Sequence, residues 1–173
     1  ALPQTRWEAR AGLGALVALA ALARLGCAPL HLYVPVVLAP RPELGPADRR
    51  DAGDAARSLV ALAVTVSPLG AFLLARVLLP LFPSFYQAAA PYLLAGGLVS
   101  AVYGALLGLG QHDLRRLLGY FHVSQSGLVL AGMMAANAVG VAGSLLHAMG
   151  SLVAMTGLFL LALSIDARAG TCD

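Results

Sequence analysis

Lysine is absent from all 173 residues, so every one of the eleven basic side chains is arginine. Charge of either sign is scarce, at 11% of residues, against about 25% in an ordinary soluble domain. So few charges cannot coat a water-facing surface, and this excludes a soluble globular domain. No acidic residue falls within a long apolar run: Glu8, Glu43, Asp48, Asp51, Asp54, Asp113, Asp166 and Asp173 lie in loops or at ends. Cysteine is limited to Cys27 and Cys172, with no C-x-x-C pair and no Cys/His cluster, which excludes a zinc site or a disulfide framework. Gly-rich phosphate loops, nucleophile motifs and metal-ligand spacings are missing as well. The sequence therefore offers no catalytic residue, no metal and no cofactor of its own. It also lacks a positively charged start followed by a short apolar core and cleavage site, so no signal peptide is expected. The net charge of +3 and isoelectric point near 9.2 do not mark a nucleic-acid partner, because the arginines are scattered in short segments between apolar runs.

What remains is apolar. Hydrophobic residues make up 60% of the chain, and the mean hydropathy is +0.83. Five runs suit membrane helices of roughly 20 residues each: 11–38, 58–81, 88–110, 113–136 and 139–165. The fold expected is all-α, a single integral membrane helix bundle over residues 1–173 with about five transmembrane helices. The first helix is expected to break near Gly26 and Pro29. Pro68 sits near the middle of the second run, and Leu81-Phe82-Pro83 marks its end. The one long hydrophilic stretch, 39–57, reads as a loop. Five crossings put Arg6 and Arg10 on one side and Arg41, Arg49, Arg50, Arg57, Arg115, Arg116 and Arg168 on the other. Arginine collects in cytoplasmic loops, so the second side, with loop 39–57, is assigned to the cytoplasm or matrix.

Small residues mark helix contacts. Gly97, Ala101 and Ala105 recur every four residues, as do Gly104 and Gly108, and Gly96, Gly140, Gly143 and Gly150 add to the series. Such spacing lets backbones approach closely in a bilayer, although an Ala- and Gly-rich composition also produces it by chance. Arg24 is the sharpest polar feature, since a charge at the centre of a membrane helix costs on the order of 2.5–3.5 kcal/mol on insertion scales. It needs water, a carboxylate of a neighbouring subunit, or room to snorkel; ion transporters also place charge at such helix breaks. His31 and His147 can relay protons, because one ring nitrogen donates while the other accepts, or can simply join two helices. Ser144, His147, Ser151 and Thr156 form one polar stripe, and Ser124, Gln125 and Ser126 another; each either lines a hydrated path or holds helices together. Arginine does not deprotonate, which leaves His31, His122 and His147 as the titratable groups of the apolar runs. The proton-pathway candidates are Arg24, His31, His147, Ser151, Ser124 and Gln125.

The segment from Arg24 to Pro35, R-L-G-C-A-P-L-H-L-Y-V-P, resembles the K-x-P-L-F-P-x-H-x-W-L-P segment of the antiporter-like, proton-pumping subunits of NADH:quinone oxidoreductase (respiratory complex I). The type it resembles is subunit 4, called M in bacteria. Pro29, His31 and Pro35 match, Tyr33 stands for the tryptophan and Arg24 for the lysine. Gln111 to Tyr120, followed by Val123-Ser124-Gln125, is similar to Q-x-D-L-K-x-L-x-A-Y-S-S-V-S-H. Arg76 to Pro83 is similar to R-x-x-L-P-L-F-P, and Gly157 to Asp173 to G-A-L-F-L…R-T-x-T-R-D. The four motifs come in the family's order and imply its seventh to eleventh helices out of fourteen. In that reading Pro29, Pro35, Arg76, Asp113, Arg115 and Arg116 hold the motif structure. The departures are equally clear: the second pumping lysine falls at Pro68, one histidine at Gln125, and another at Ser151 with His147 one turn away. Loop 39–57 is longer than the family's.

The resemblance implies a membrane-arm subunit contributing part of a proton channel coupled to quinone reduction elsewhere. It would be an enzyme only as part of a proton-translocating NADH:ubiquinone reductase, with no flavin or iron–sulfur cluster, since the ligand cysteines are lacking. The losses at 68, 125 and 151 imply a degenerate copy that moves protons weakly or not at all. Two alternatives stay open: a purely structural membrane-arm subunit, and a subunit of a related cation/proton antiporter. The implied partners are other membrane-arm subunits, a chain supplying the missing helices, and membrane lipids. The implied location is the mitochondrial inner membrane, with the bacterial plasma membrane as the alternative.

Overall fold

The computed structural model describes residues 11–27, 29–30 and 68–169. Among them are five helices and no strand: α1 (Ala11–Leu25), α2 (Pro68–Leu81), α3 (Pro83–Leu109), α4 (Leu114–Met133) and α5 (Ala138–Ala169). The expected all-α membrane bundle is what forms, and α3 and α5 are each long and apolar enough to cross a bilayer. His31, Pro35, loop 39–57 and the first half of the second run lie outside the described residues.

Glycine and proline set the helix ends. α1 stops at Leu25 because Gly26 turns to φ 74, a left-handed conformation that glycine adopts at little cost. Its N–H still bonds the Leu22 carbonyl at 3.1 Å, and Pro29 follows in a turn. In α2 the ring of Pro80 would strike the carbonyl of Arg76 if the helix ran on regularly. The chain widens instead into a π-type turn over Leu74–Leu78, where the Leu79 N–H bonds the Leu74 carbonyl. Pro83 then drives Phe82 out of the helical region, to φ −131 and ψ 55. This break is a single residue wide. Proline is well suited to the first position of a helix, so α3 starts at Pro83 and not at 88 as the sequence pattern suggested. α5 likewise runs past 165, to Ala169.

α4 begins as expected, with Asp113 as its cap: the carboxylate accepts the Arg115 N–H at 2.9 Å. α4 ends at Met133, short of the expected 136, because Ala136 takes φ 55 in a tight turn. Asn137 opens α5 by accepting the Gly140 N–H on its side-chain oxygen at 2.6 Å.

α3 and α4 meet backbone to backbone. Gly97, Ala101, Gly104 and Gly108 are buried on α3. A Cβ added at Gly97 would stand 2.8 Å from the Gly127 carbonyl, one at Gly104 2.6 Å from the Ser124 nitrogen, and one at Gly127 2.5 Å from the Ala101 nitrogen. The spacing is 4-3-4 and not 4-4, since an average near 3.5 residues keeps a seam turned toward its partner. Ala105 is accordingly exposed, which corrects its expected place in the contact. Gly140 joins α5 to α4, 2.7 Å from the Gly132 carbonyl on the same measure, whereas Gly96, Gly143 and Gly150 meet nothing within 4 Å. Among the described residues, those three take no part in the helix contacts.

α4 is the central helix, with ten of its twenty residues buried. The apolar stretches of α3 and α5 are only 28% and 22% buried, so their outer sides face lipid or other protein. α1 and α2 run antiparallel, as Gly14 lies against Phe82 and Phe85 while Gly70 lies against Ala21 and Leu25. Two apolar clusters result. One joins α1, α2 and α3 to the C-terminal half of α4 around Leu74, Leu78, Leu130 and Met133. The other joins the first half of α4 to α5 through Leu118, Val123, Met155 and Phe159.

Candidate functional site

Between the two clusters lies a small cavity lined by Leu25, Pro68, His122, Gln125, Ser126, Val129, Ala148, Ser151 and Leu152. Its space for a water centre is ≈ 10 Å³, about what one water molecule needs. Each helix contributes for a local reason. Leu25 is the last residue of α1, held there by the turn at Gly26. Pro68 is where the described part of α2 starts. His122, Gln125, Ser126 and Val129 follow one another at spacings of three, one and three, one face of a 3.6-residue helix. Ala148, Ser151 and Leu152 do the same on α5.

The positions where the family resemblance implies a lysine and two histidines are thus brought to one place: Pro68, Gln125 and Ser151 line the same cavity. The sequence had them in three separate runs. Among the described lining residues the one titratable side chain is His122, which is 8% exposed. It was recognised in sequence as titratable but not placed at the site. Its distance of three residues from Gln125 was the available signal.

The other candidates sit elsewhere. Arg24 is exposed in the last turn of α1, next to Leu25 but not itself on the cavity. His147 is half-buried on α5, and its Nε2 is buried with no hydrogen-bond partner among the described residues; it does not line the cavity. Ser124 donates to the Ala101 carbonyl at 2.8 Å, so its hydroxyl serves the α3–α4 seam. The stripe on α5 is turned back on its own helix. Ser144 donates to the Gly140 carbonyl, Ser151 to that of Ala148 at 3.1 Å and Thr156 to that of Leu152 at 2.8 Å, and Thr156 faces outward.

The motif residues have visible structural work. Arg76 sits exposed within the widened turn of α2. Asp113 caps α4, and Arg116 approaches it at 3.9 Å while half-exposed, a pair that adds little stability. Arg115 supplies the capped N–H. Tyr86 donates from its buried hydroxyl to the Met133 carbonyl at 2.6 Å, tying the start of α3 to the end of α4. Among the described residues no three His, Cys, Asp or Glu side chains gather to hold a metal.

Helices that pack along a small-residue seam, two of them long and apolar enough to cross a bilayer, mark an integral membrane helix bundle. Residues 4–172 match the family model for the transmembrane part of the NADH:quinone oxidoreductase/Mrp antiporter proteins, and the chain belongs to that family. It is 33% identical over 139 residues to the NAD(P)H-quinone oxidoreductase chain 4 2 of Thermosynechococcus vestitus, covering 80% of this chain and 24% of that one. To the NADH-quinone oxidoreductase subunit M of Pseudomonas aeruginosa it is 30% identical over 161 residues, 93% of this chain and 29% of that one. To the chloroplastic NAD(P)H-quinone oxidoreductase chain 4 of Ipomoea purpurea it is 35% identical over 86 residues, 50% of this chain and 17% of that one. The chain therefore spans about a quarter of the length of these relatives, and the resemblance to the subunit 4, or M, type holds.

Proposed function

We propose that this chain is part of the membrane arm of an NADH:quinone oxidoreductase, where it forms a section of a proton-translocation channel coupled to quinone reduction in other subunits. The observation that carries this reading is the convergence of Pro68, Gln125 and Ser151 on one cavity near the middle of α4 and α5. A functional half-channel needs a polar, water-sized space at that depth, between apolar layers that block leakage. The partners are then other membrane-arm subunits of the oxidoreductase. The membrane is an energy-transducing one, the mitochondrial inner membrane or a bacterial plasma membrane, with the Arg115–Arg116 end of α4 on the matrix or cytoplasmic side.

A second reading has its own support. Proline, glutamine and serine cannot carry a proton, so the same cavity also suits a membrane-arm subunit that fills its place without pumping. Both readings predict that the chain co-migrates with NADH dehydrogenase activity on a native gel of gently solubilised membranes. Its identification by mass spectrometry in that band, beside other subunits of the oxidoreductase, is the expected result. Recovery with antiporter subunits, or alone, overturns both.

A further inference from the structure

We propose that His122 is the proton-binding group of this cavity, standing one helical turn from the position that Gln125 now occupies. The inference rests on the membrane-arm reading and gives its channel a specific carrier.

Among the described residues around the cavity His122 is the one titratable side chain, and the cavity has space for about one water centre. The imidazole is almost wholly buried. Ser126 and Gln125 stand beside it on the same face of α4, and Ser151 faces them from α5. Ser151 spends its proton on the Ala148 carbonyl, so its oxygen keeps lone pairs for a water in the cavity. A water with three polar neighbours is a stable occupant of such a space. A proton carried in on that water can pass to a ring nitrogen and return to the water by the same path, so the ring alternates between imidazolium and neutral imidazole.

Among the described residues, α4 is packed mainly by α3 and α5; Asp113, Arg115 and Arg116 stand at the start of α4 and Arg168 in the last turn of α5, while Arg24 on α1 and Arg76 on α2 are exposed and off the cavity. On the buried face of α3 the ionisable side chain is Tyr86, whose hydroxyl donates to the Met133 carbonyl. His147 on α5 lies outside the lining. Helical geometry explains how a histidine at 122 can serve a site addressed from 125, because residues three apart project from the same face.

The test compares NADH-driven proton uptake with NADH oxidation in membrane vesicles holding the assembled complex. His122→Asn and His122→Gln each keep a hydrogen-bonding side chain that cannot titrate. The expected result is a lower proton-to-electron ratio in both, with electron transfer retained and the chain present at its usual level in the active band. Returning the ring to the other turn, as His122→Ser with Gln125→His, is expected to restore the ratio, which a purely structural role would not allow. An unchanged ratio in either assembled single variant overturns the proposal. So does a double variant that assembles but stays low. A chain missing from the NADH-oxidising band of the unmutated membranes is a different failure, and it sinks the membrane-arm reading instead.

Discussion

Pro68 is the residue at which sequence and structure speak most directly to each other. The resemblance places a lysine there, and the cavity it borders has space for about one water centre, with no acidic side chain among its described lining residues. Pro68→Lys is therefore expected to bring in an uncompensated charge costing on the order of 2.5–3.5 kcal/mol, without raising proton translocation. Immunoblotting of membranes for the chain's steady-state level checks this; a normal level with a raised proton-to-electron ratio would mean a wetter and more pliant cavity. The losses at 68, 125 and 151 were readable from motifs alone, because each motif fixes its own register. Their meeting was not, since it depends on how three helices pack. Arg24 drew attention in sequence by its chemistry, yet its exposed position at the end of α1 follows from the turn at Gly26. What the Arg24 side chain meets in the assembled complex is set by neighbouring protein.

The α3–α4 seam separates two kinds of contact at the level of elements. Ser124→Ala removes the hydrogen bond to Ala101, but that carbonyl lies in a helix and keeps its backbone donor. The expected cost is about 0.6 kcal/mol, the average for such bonds between membrane helices. Gly127→Val places atoms where the Ala101 backbone already is, and the two helices must part, at a cost of about 1–3 kcal/mol or more. Measured by resistance of the complex to increasing detergent, the valine variant is expected to dissociate clearly earlier and the alanine variant barely so. Equal behaviour of the two would mean that the seam does not hold the bundle together. The existence of this seam was legible as small residues at helical spacing, but its register was not. Four-residue repeats and the 4-3-4 pattern share Gly97 and Ala101 and differ only at Ala105 against Gly104. Local proline chemistry was legible only in part. The stop at Leu81-Phe82-Pro83 was read correctly as a break, but the same proline also starts the next helix.

For the molecule as a whole, the count of helices and the all-α class came from composition and run length, which are strong signals when charge falls to 11%. The depth of burial within the bundle was less visible. α4 reads as a membrane segment like the others, yet it is the helix most enclosed by protein, and that enclosure is why it can carry His122, Gln125 and Ser126. The same feature bears on how the chain is made. α4 starts with Arg115 and Arg116, bears four polar side chains near its middle from His122 to Ser126, and is not apolar enough to pass as a span by itself. Residues 110–113 are all that separates it from α3. During synthesis, therefore, α4 is expected to leave the translocation machinery not as a lone segment but as the second limb of a hairpin, sheltered along the glycine seam by the limb made just before it. Glycosylation mapping of α4 alone and of the α3–α4 pair in microsomes separates the cases, with efficient integration expected only for the pair. A substitution such as Gly127→Val would then reduce the protein's abundance at birth, before any proton has moved.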